Sequence, residues 1–252
     1  MTVTKRRVLV TGGTSGLGLA MATALAAAGA TVALTGRSAQ RARSVAATLP
    51  GAIGLDMDVR DEASVARGVD RAWERLGGMD LLVNNAGLGM RSVNPDFMTR
   101  PVPFWQVPPE AFRAVVETNL TGYFLVAREV VPRMLEAGGG GIVTIAVSES
   151  TTARAGFVPY GPSRAGSESL SRIMAAELRG SPVTVNLLLP GGPTATGMLP
   201  PGVPGAFLPP EVMGPPIVWL ASDEAAGVHD ERIVAREFDA WLRARTTGAA
   251  PR

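Results

Sequence analysis

Tyr160 and Arg164 stand four residues apart in Tyr160-Gly161-Pro162-Ser163-Arg164, at the head of an amphipathic stretch. On a helix that spacing puts both side chains on one face, one turn apart. A guanidinium in that place favours the phenolate form of the tyrosine, which equips an otherwise inert phenol to exchange protons as a general acid or base. Arginine gives up its own proton only with difficulty, so its contribution is charge and hydrogen bonding, not proton relay. A second chemical feature, Thr11-Gly12-Gly13-Thr14-Ser15-Gly16-Leu17-Gly18, follows the apolar run Val8-Leu9-Val10 and opens a helical pattern. Glycines there permit tight turns and let a pyrophosphate approach without meeting a Cβ, while the first free N–H groups of the helix point at the anion. The other reading of such a run is a helix-capping loop. Its place at a strand-to-helix junction favours a nucleotide cradle.

Composition removes several classes of chemistry. Cysteine is absent, which excludes disulfides, thiolate nucleophiles and cysteine–metal sites. The one histidine, His229, cannot by itself build a histidine metal site, and it is expected as a surface residue in a loop. With 24 Lys and Arg against 22 Asp and Glu, and no basic cluster beyond Lys5-Arg6-Arg7, nucleic acid is not an expected partner. There is neither an apolar run of 18 residues nor a signal-peptide pattern, so a soluble, cytoplasmic protein with no membrane partner is expected.

The 252 residues, 46% hydrophobic and 18% charged, fit one α/β domain spanning 1–252. Apolar runs predict strands at 7–11, 31–35, 52–56, 81–84, 142–146, 183–188 and 232–235. Helical patterns between them cover 16–28, 39–49, 62–76, 109–137, 160–179 and 211–221. This alternation predicts a doubly wound, mostly parallel seven-stranded sheet with helices on both faces, in the order 3-2-1-4-5-6 plus an edge strand. A short helix at 237–243 is expected outside the sheet, against a neighbouring subunit. Two segments break the rhythm. Residues 88–108 contain four prolines with Phe97, Phe104 and Trp105, and 190–210 contain Pro-Gly pairs with Met198, Leu199, Phe207 and Leu208. Both follow a strand's carboxyl end, where open α/β sheets bind ligands, so they are expected to form substrate walls or a lid, a dimer contact or a plain surface loop being the alternative.

Taken together, Thr11-Gly12-xxx-Gly16-x-Gly18, Asn84-Asn85-Ala86-Gly87, Asn119 in Glu117-Thr118-Asn119-Leu120, Tyr160 with a basic residue four later, and Pro190-Gly191 resemble the short-chain dehydrogenase/reductase family over roughly residues 5 to 235. The resemblance implies a Rossmann fold, a nicotinamide cofactor and hydride transfer, with Arg164 where the family pattern has lysine. Gly12, Thr14, Ser15, Gly16, Leu17 and Gly18 would hold the pyrophosphate side, and Asp58 and Val59 the adenine. Asn85, Ala86, Gly87, Tyr160 and Arg164 would lie along the nicotinamide half, with Pro190 and Gly191 closing over it. Thr196 is the expected contact to the carboxamide or pyrophosphate, Thr194 the alternative. Asn119 would hold a water in a proton relay. A serine 13 residues before the tyrosine is usual; here that residue is Val147, so Ser148 is expected to bind the substrate oxygen, with Ser150 second and Glu149 a further possibility.

Cofactor choice rests on Gly36 and Arg37 at the end of the second strand. An acidic side chain at 36 would accept hydrogen bonds from an unphosphorylated ribose and repel a 2′-phosphate; its absence, with the planar fork of Arg37 alongside, predicts NADP(H) over NAD(H). Ser15 stands where many NADP-using relatives carry a second basic residue. The expected function is an NADP(H)-dependent oxidoreductase acting on the carbonyl or secondary alcohol of an uncharged alicyclic or aromatic molecule, assembled as a homodimer or homotetramer. Two alternatives remain: a cofactor-binding sensor without efficient catalysis, and a reductase of imines or activated C=C bonds.

Overall fold

Val8-Leu9-Val10 and Leu81-Leu82-Val83 have no polar alternation, as strands covered on both faces require. In the computed structural model, which describes residues 2–247, they lie side by side at the middle of a seven-stranded parallel sheet. The strands are β1 (Arg7–Val10), β2 (Thr31–Gly36), β3 (Ile53–Asp56), β4 (Leu81–Asn84), β5 (Gly140–Ile145), β6 (Val183–Leu189) and β7 (Arg232–Val234), in the order β3-β2-β1-β4-β5-β6-β7. Side chains alternate across the sheet. Val8 and Val10 join the core beneath α1 (Gly16–Ala27) and α2 (Ala39–Ala46), whereas Leu9 and Leu82 join the one beneath α3 (Glu62–Leu76). The strand order reverses between β1 and β4, so the loops leaving those two strands part and open a crevice at the carboxyl edge.

The helical stretch expected at 109–137 is divided into α4 (Pro109–Val116), a five-residue π turn (Glu117–Thr121) and α5 (Gly122–Glu136). Asn119 sits inside the π turn, which answers why an asparagine is tolerated mid-helix: its amide bonds to groups outside the helix. After β5 come α6 (Glu149–Thr152) and α7 (Tyr160–Glu177). The pattern at 211–221 resolves into a 3-10 turn and α8 (Gly214–Leu220). The last helix, α9 (Phe238–Thr246), packs on its own chain, with the Trp241 ring 5.3 Å from Trp219. His229 is likewise not a surface residue. It is half-buried, its Nδ1 accepting from the Val185 amide at 3.3 Å and its Nε2 lying 2.7 Å from the Ala175 carbonyl. No helix among the described residues is long and apolar enough to cross a membrane.

One ion pair fixes the start of the two strands that flank the crevice. Arg7 donates from Nε to Asp80 Oδ2 at 2.9 Å and from its terminal nitrogen to Oδ1 at 2.6 Å, and the two backbones bond beside it. Burial pushes the Asp80 carboxyl up, but hydrogen bonds from the Arg7 guanidinium and amide, and its charge, outweigh that and hold it below the usual value. The sign follows: its contribution to stability is complete above the unfolded aspartate pKa of about 3.9 and is lost as pH falls through the folded value. Asp80→Asn should therefore shrink the stability difference between about pH 6 and about pH 3. Urea titrations at the two pH values check this, and an undiminished difference would assign the acid sensitivity elsewhere.

Candidate active site

Thr11, at the end of β1, laces the two loops that bound the crevice. Its Oγ1 accepts from the Asn85 and Ala86 amides at 3.0 and 3.1 Å and donates to the Val83 carbonyl. Asn85 answers by donating from Nδ2 to the Thr11 and Gly12 carbonyls at 2.9 and 3.2 Å. Glycine is required where these loops touch. A Cβ on Gly12 would lie 2.7 Å from Ala86 Cα, and one on Gly18 would lie 2.4 Å from Asn85 Nδ2. Ser15 caps no amide with its side chain and the first turn of α1 carries no acid, so the helix N-terminus keeps its N–H donors and positive end for an anion. This cradle fits a dinucleotide's pyrophosphate.

Along the adenine side, Gly36 ends β2 against the cradle; a Cβ there would meet Thr14 Cγ2 at 2.8 Å. Arg37, the next residue, is exposed on the cleft wall. Asp58 is held by Arg60, with 2.6 Å between guanidinium and carboxylate, and those hydrogen bonds keep its carboxyl below the ordinary range against the opposing effect of burial. Val59 beside it is buried against the Cα of Gly122.

At the other half, Tyr160 opens α7 and Arg164 follows one turn later, fully inside the protein. The guanidinium carbon lies 5.4 Å from the Tyr160 ring centre and 5.6 Å from that of Tyr123. One terminal nitrogen of Arg164 donates to Tyr123 Oη at 2.6 Å and to the Ile145 carbonyl at 3.2 Å, while Nε has no partner among the described residues. The other presses on Gly87, where a Cβ would stand 2.2 Å from it. Gly87 is therefore required by the breadth of the arginine head. Burial works against the guanidinium's charge, but the facing oxygens of Tyr123 and Tyr160 more than compensate, and its pKa lies above the ordinary arginine value. Burial also raises the Tyr123 phenol, in spite of the neighbouring charge, so Tyr123 stays neutral.

Tyr123 was not picked out from the sequence. A signal existed: it lies four residues after Asn119, the same one-turn spacing that drew attention to Tyr160 and Arg164. Asn119 itself is heavily used. Its Oδ1 accepts from the Leu88 amide at 2.8 Å, and its Nδ2 donates to the Leu88 carbonyl and to Ser163 Oγ, both at 3.0 Å. Both amide hydrogens are committed to the protein, so for a water only Oδ1 retains capacity, as an acceptor. Ser163, a further residue not anticipated, donates in turn to the Tyr160 carbonyl at 2.8 Å and so ties Asn119 to the first turn of α7.

Ser148 heads α6, its hydroxyl 3.0 Å from those of both Ser150 and Thr151. Val147, Ser148, Ser150 and Thr151 all face the cleft, whereas Glu149 is exposed and is not on its wall. Thr196 closes over the cradle, its Cβ 3.5 Å from where a Cβ on Gly16 would stand; Thr194 pairs with Leu208 beside it. Pro190 and Gly191 bound the same space, and Gly191 takes a φ of +91° against Val234 and Arg236. The cleft has a volume of about 870 Å³ and is lined by every expected cofactor residue, from Gly12 to Thr196, and by Ser148, Tyr160 and Arg164. Asn119 lies behind its wall. Of the first loop's aromatics, only Phe97 lines it. Phe104 and Trp105, expected there, are 67% and 71% exposed and pack edge to face on each other outside. The 3-10 turn carrying them precedes α4.

Comparison with known proteins matches this arrangement. The short chain dehydrogenase family model covers residues 6–202. D-threitol dehydrogenase of Mycolicibacterium smegmatis is 34% identical over 242 residues, covering 90% of this chain and 89% of that protein. Among solved structures, a short chain dehydrogenase from Burkholderia cenocepacia in complex with NADP superposes with a TM-score of 0.80 at 26% identity, covering 93% of this chain and 97% of that one. A 3-ketoacyl-(acyl-carrier-protein) reductase from Brucella melitensis complexed with NADH gives the same TM-score and identity, covering 92% and 97%. The glycine cradle, the seven-stranded parallel sheet and these matches make one conclusion: the chain belongs to the short-chain dehydrogenase/reductase family and is an oxidoreductase.

Proposed function

We propose that this enzyme interconverts a ketone and a secondary alcohol on a small molecule with an apolar body, using NADP(H), with Tyr160 as general acid and base. The observation that carries this reading is that Tyr160 shares one continuous cleft with the glycine cradle while a buried, permanently charged guanidinium stands beneath it. Gly12, Thr14, Ser15, Gly16, Leu17, Gly18, Arg37, Asp58, Val59, Asn85, Ala86, Gly87, Pro190, Gly191, Thr194 and Thr196 would hold the cofactor, which when bound supplies or accepts the hydride at the carbonyl carbon. In reduction, Tyr160 gives its hydroxyl proton to the substrate oxygen and is left as a phenolate, whose charge Arg164 offsets through a low-dielectric space. Arg164 keeps its own protons, so the phenolate is reprotonated from the cleft and not through the guanidinium. Ser148, with Ser150 and Thr151 bonded to it, orients the substrate oxygen.

The preference for NADP(H) rests on Arg37, whose guanidinium has no carboxylate within ion-pair reach among the described residues and so keeps a planar fork for a 2′-phosphate. The loops 88–108 and 190–210 serve as substrate walls; Arg91 donates to the Gly197 carbonyl at 3.1 Å and joins them. A homo-oligomer would form through the outer faces of α4, α5 and α7, where Phe112, Phe124, Leu135 and Ile173 stay exposed.

Tyr160→Phe should lower kcat on a ketone panel by about 100- to 10,000-fold while NADPH still binds by fluorescence. Undiminished turnover would remove Tyr160 as the acid. Arg37→Ala is expected to raise KM for NADPH about tenfold or more and leave that for NADH little changed, since only the phosphate contact is lost; equal effects on both would refute the assignment. Tyr123→Phe, which strips the buried guanidinium of its closest partner, should cost about 1.5–3 kcal/mol in urea unfolding. A smaller loss would mean that the Ile145 carbonyl suffices to hold Arg164.

A further inference from the structure

The half of the cleft beyond the cofactor cradle joins apolar walls to unpaired positive charge. Met90, Phe97, Met98, Phe157 and Met198 supply the walls. Arg91 and Arg154, both exposed, also line the cleft, and neither has a carboxylate within ion-pair distance among the described residues. The acids nearby are turned elsewhere. Asp96 is bound to Arg100, Glu149 is exposed off the cleft wall, and the one carboxylate that lines the cleft, Asp58, sits at the adenine end paired with Arg60.

The two arginines are also held in place without their donors being used up. Arg154 lies with its guanidinium carbon 4.6 Å from the centre of the Phe157 ring. Stacking of this kind engages the face of the guanidinium and leaves its in-plane N–H groups free, a fork preorganised for a planar anion. Arg91 gives one terminal nitrogen to the Gly197 carbonyl, which anchors it to the opposite loop and leaves its remaining N–H groups available. Phe157 in turn meets the Tyr160 ring at 6.4 Å and Phe97 at 5.6 Å. The cation of Arg154 is thus one aromatic ring removed from the reacting phenol.

We propose that the substrate is a carboxylate: an alicyclic or aromatic ketone or alcohol whose acid group lies about one ring away from the reacting carbon and is received by Arg154 and Arg91. This rests on the oxidoreductase reading of the same cleft and replaces the uncharged substrate expected from the apolar composition of the two loops. A phosphorylated sugar fits less well, because its hydroxyl groups would meet Met and Phe side chains that cannot bond them.

Calorimetric binding of cyclohexanecarboxylate and of cyclohexanecarboxamide to the NADP-saturated protein tests the inference without requiring turnover. The pair shares a ring and differs in charge. The carboxylate should bind about tenfold or more tightly than the amide, the gain expected of a charge-assisted fork, and Arg91→Gln/Arg154→Gln should bring the two affinities together. Equal affinities in the wild type, a preference that survives the double substitution, or binding of neither compound would each overturn it. Retention of the carboxylate preference by a protein that reduces no ketone across a broad panel would instead overturn the oxidoreductase reading and leave the anion site standing.

Discussion

A fully buried guanidinium is the constraint around which the rest of the site is arranged. Moving such a charge out of water is costly unless oxygen atoms meet it, and Arg164 finds them in Tyr123 at 2.6 Å and in the Ile145 carbonyl at 3.2 Å. Each partner fixes an element. Tyr123 belongs to α5, Ile145 ends β5, and Gly87 yields the space beside β4 that the broad head occupies. Asn84 strengthens the same junction by donating from Nδ2 to the Tyr123 carbonyl at 3.2 Å. Lys5 is the sole lysine in the chain, so an arginine at any cationic position is unremarkable in type. What distinguishes this one is that it is enclosed and matched by a tyrosine.

Beside that anchor runs a separate chain of hydrogen bonds. Asn119 joins the Leu88 backbone to Ser163, and Ser163 joins the Tyr160 backbone, so the start of the 88–108 loop, the π turn and the head of α7 are tied together. The π turn makes this possible by releasing the Asn119 side chain from the helix surface. Thr11 and Asn85 perform the equivalent lacing on the cofactor side. Rigid support of both halves is what positions a proton donor relative to a hydride path, where small displacements carry large rate penalties.

Much of this was legible in the chain itself. Unbroken apolar runs marked all seven strands to within a residue or two, and short-range patterning set the helices, because both depend on local side-chain periodicity. The glycine run, the asparagine pair and the tyrosine–arginine spacing are also local features, and each lies where its neighbours alone would place it. Less local matters went astray. The break at Asn119 was hidden because a single π turn is bounded on both sides by helix of ordinary pattern. Phe104 and Trp105 looked like cleft walls by composition, yet both are largely exposed and neither lines the cleft. Trp241 gave no sign that its ring meets Trp219 of the same chain.

The sequence by itself determined the order of strands and helices, the phosphate-type cradle and the helical pairing of Tyr160 with Arg164. Tertiary structure alone decided what surrounds them: that Arg164 is buried, that Tyr123 from another helix offsets the penalty, and that Arg91 and Arg154, 63 positions apart by their numbers, line one cleft. The division has a simple cause. Backbone periodicity is felt within a few residues, whereas desolvation and charge act through space between side chains that only the closed sheet brings near.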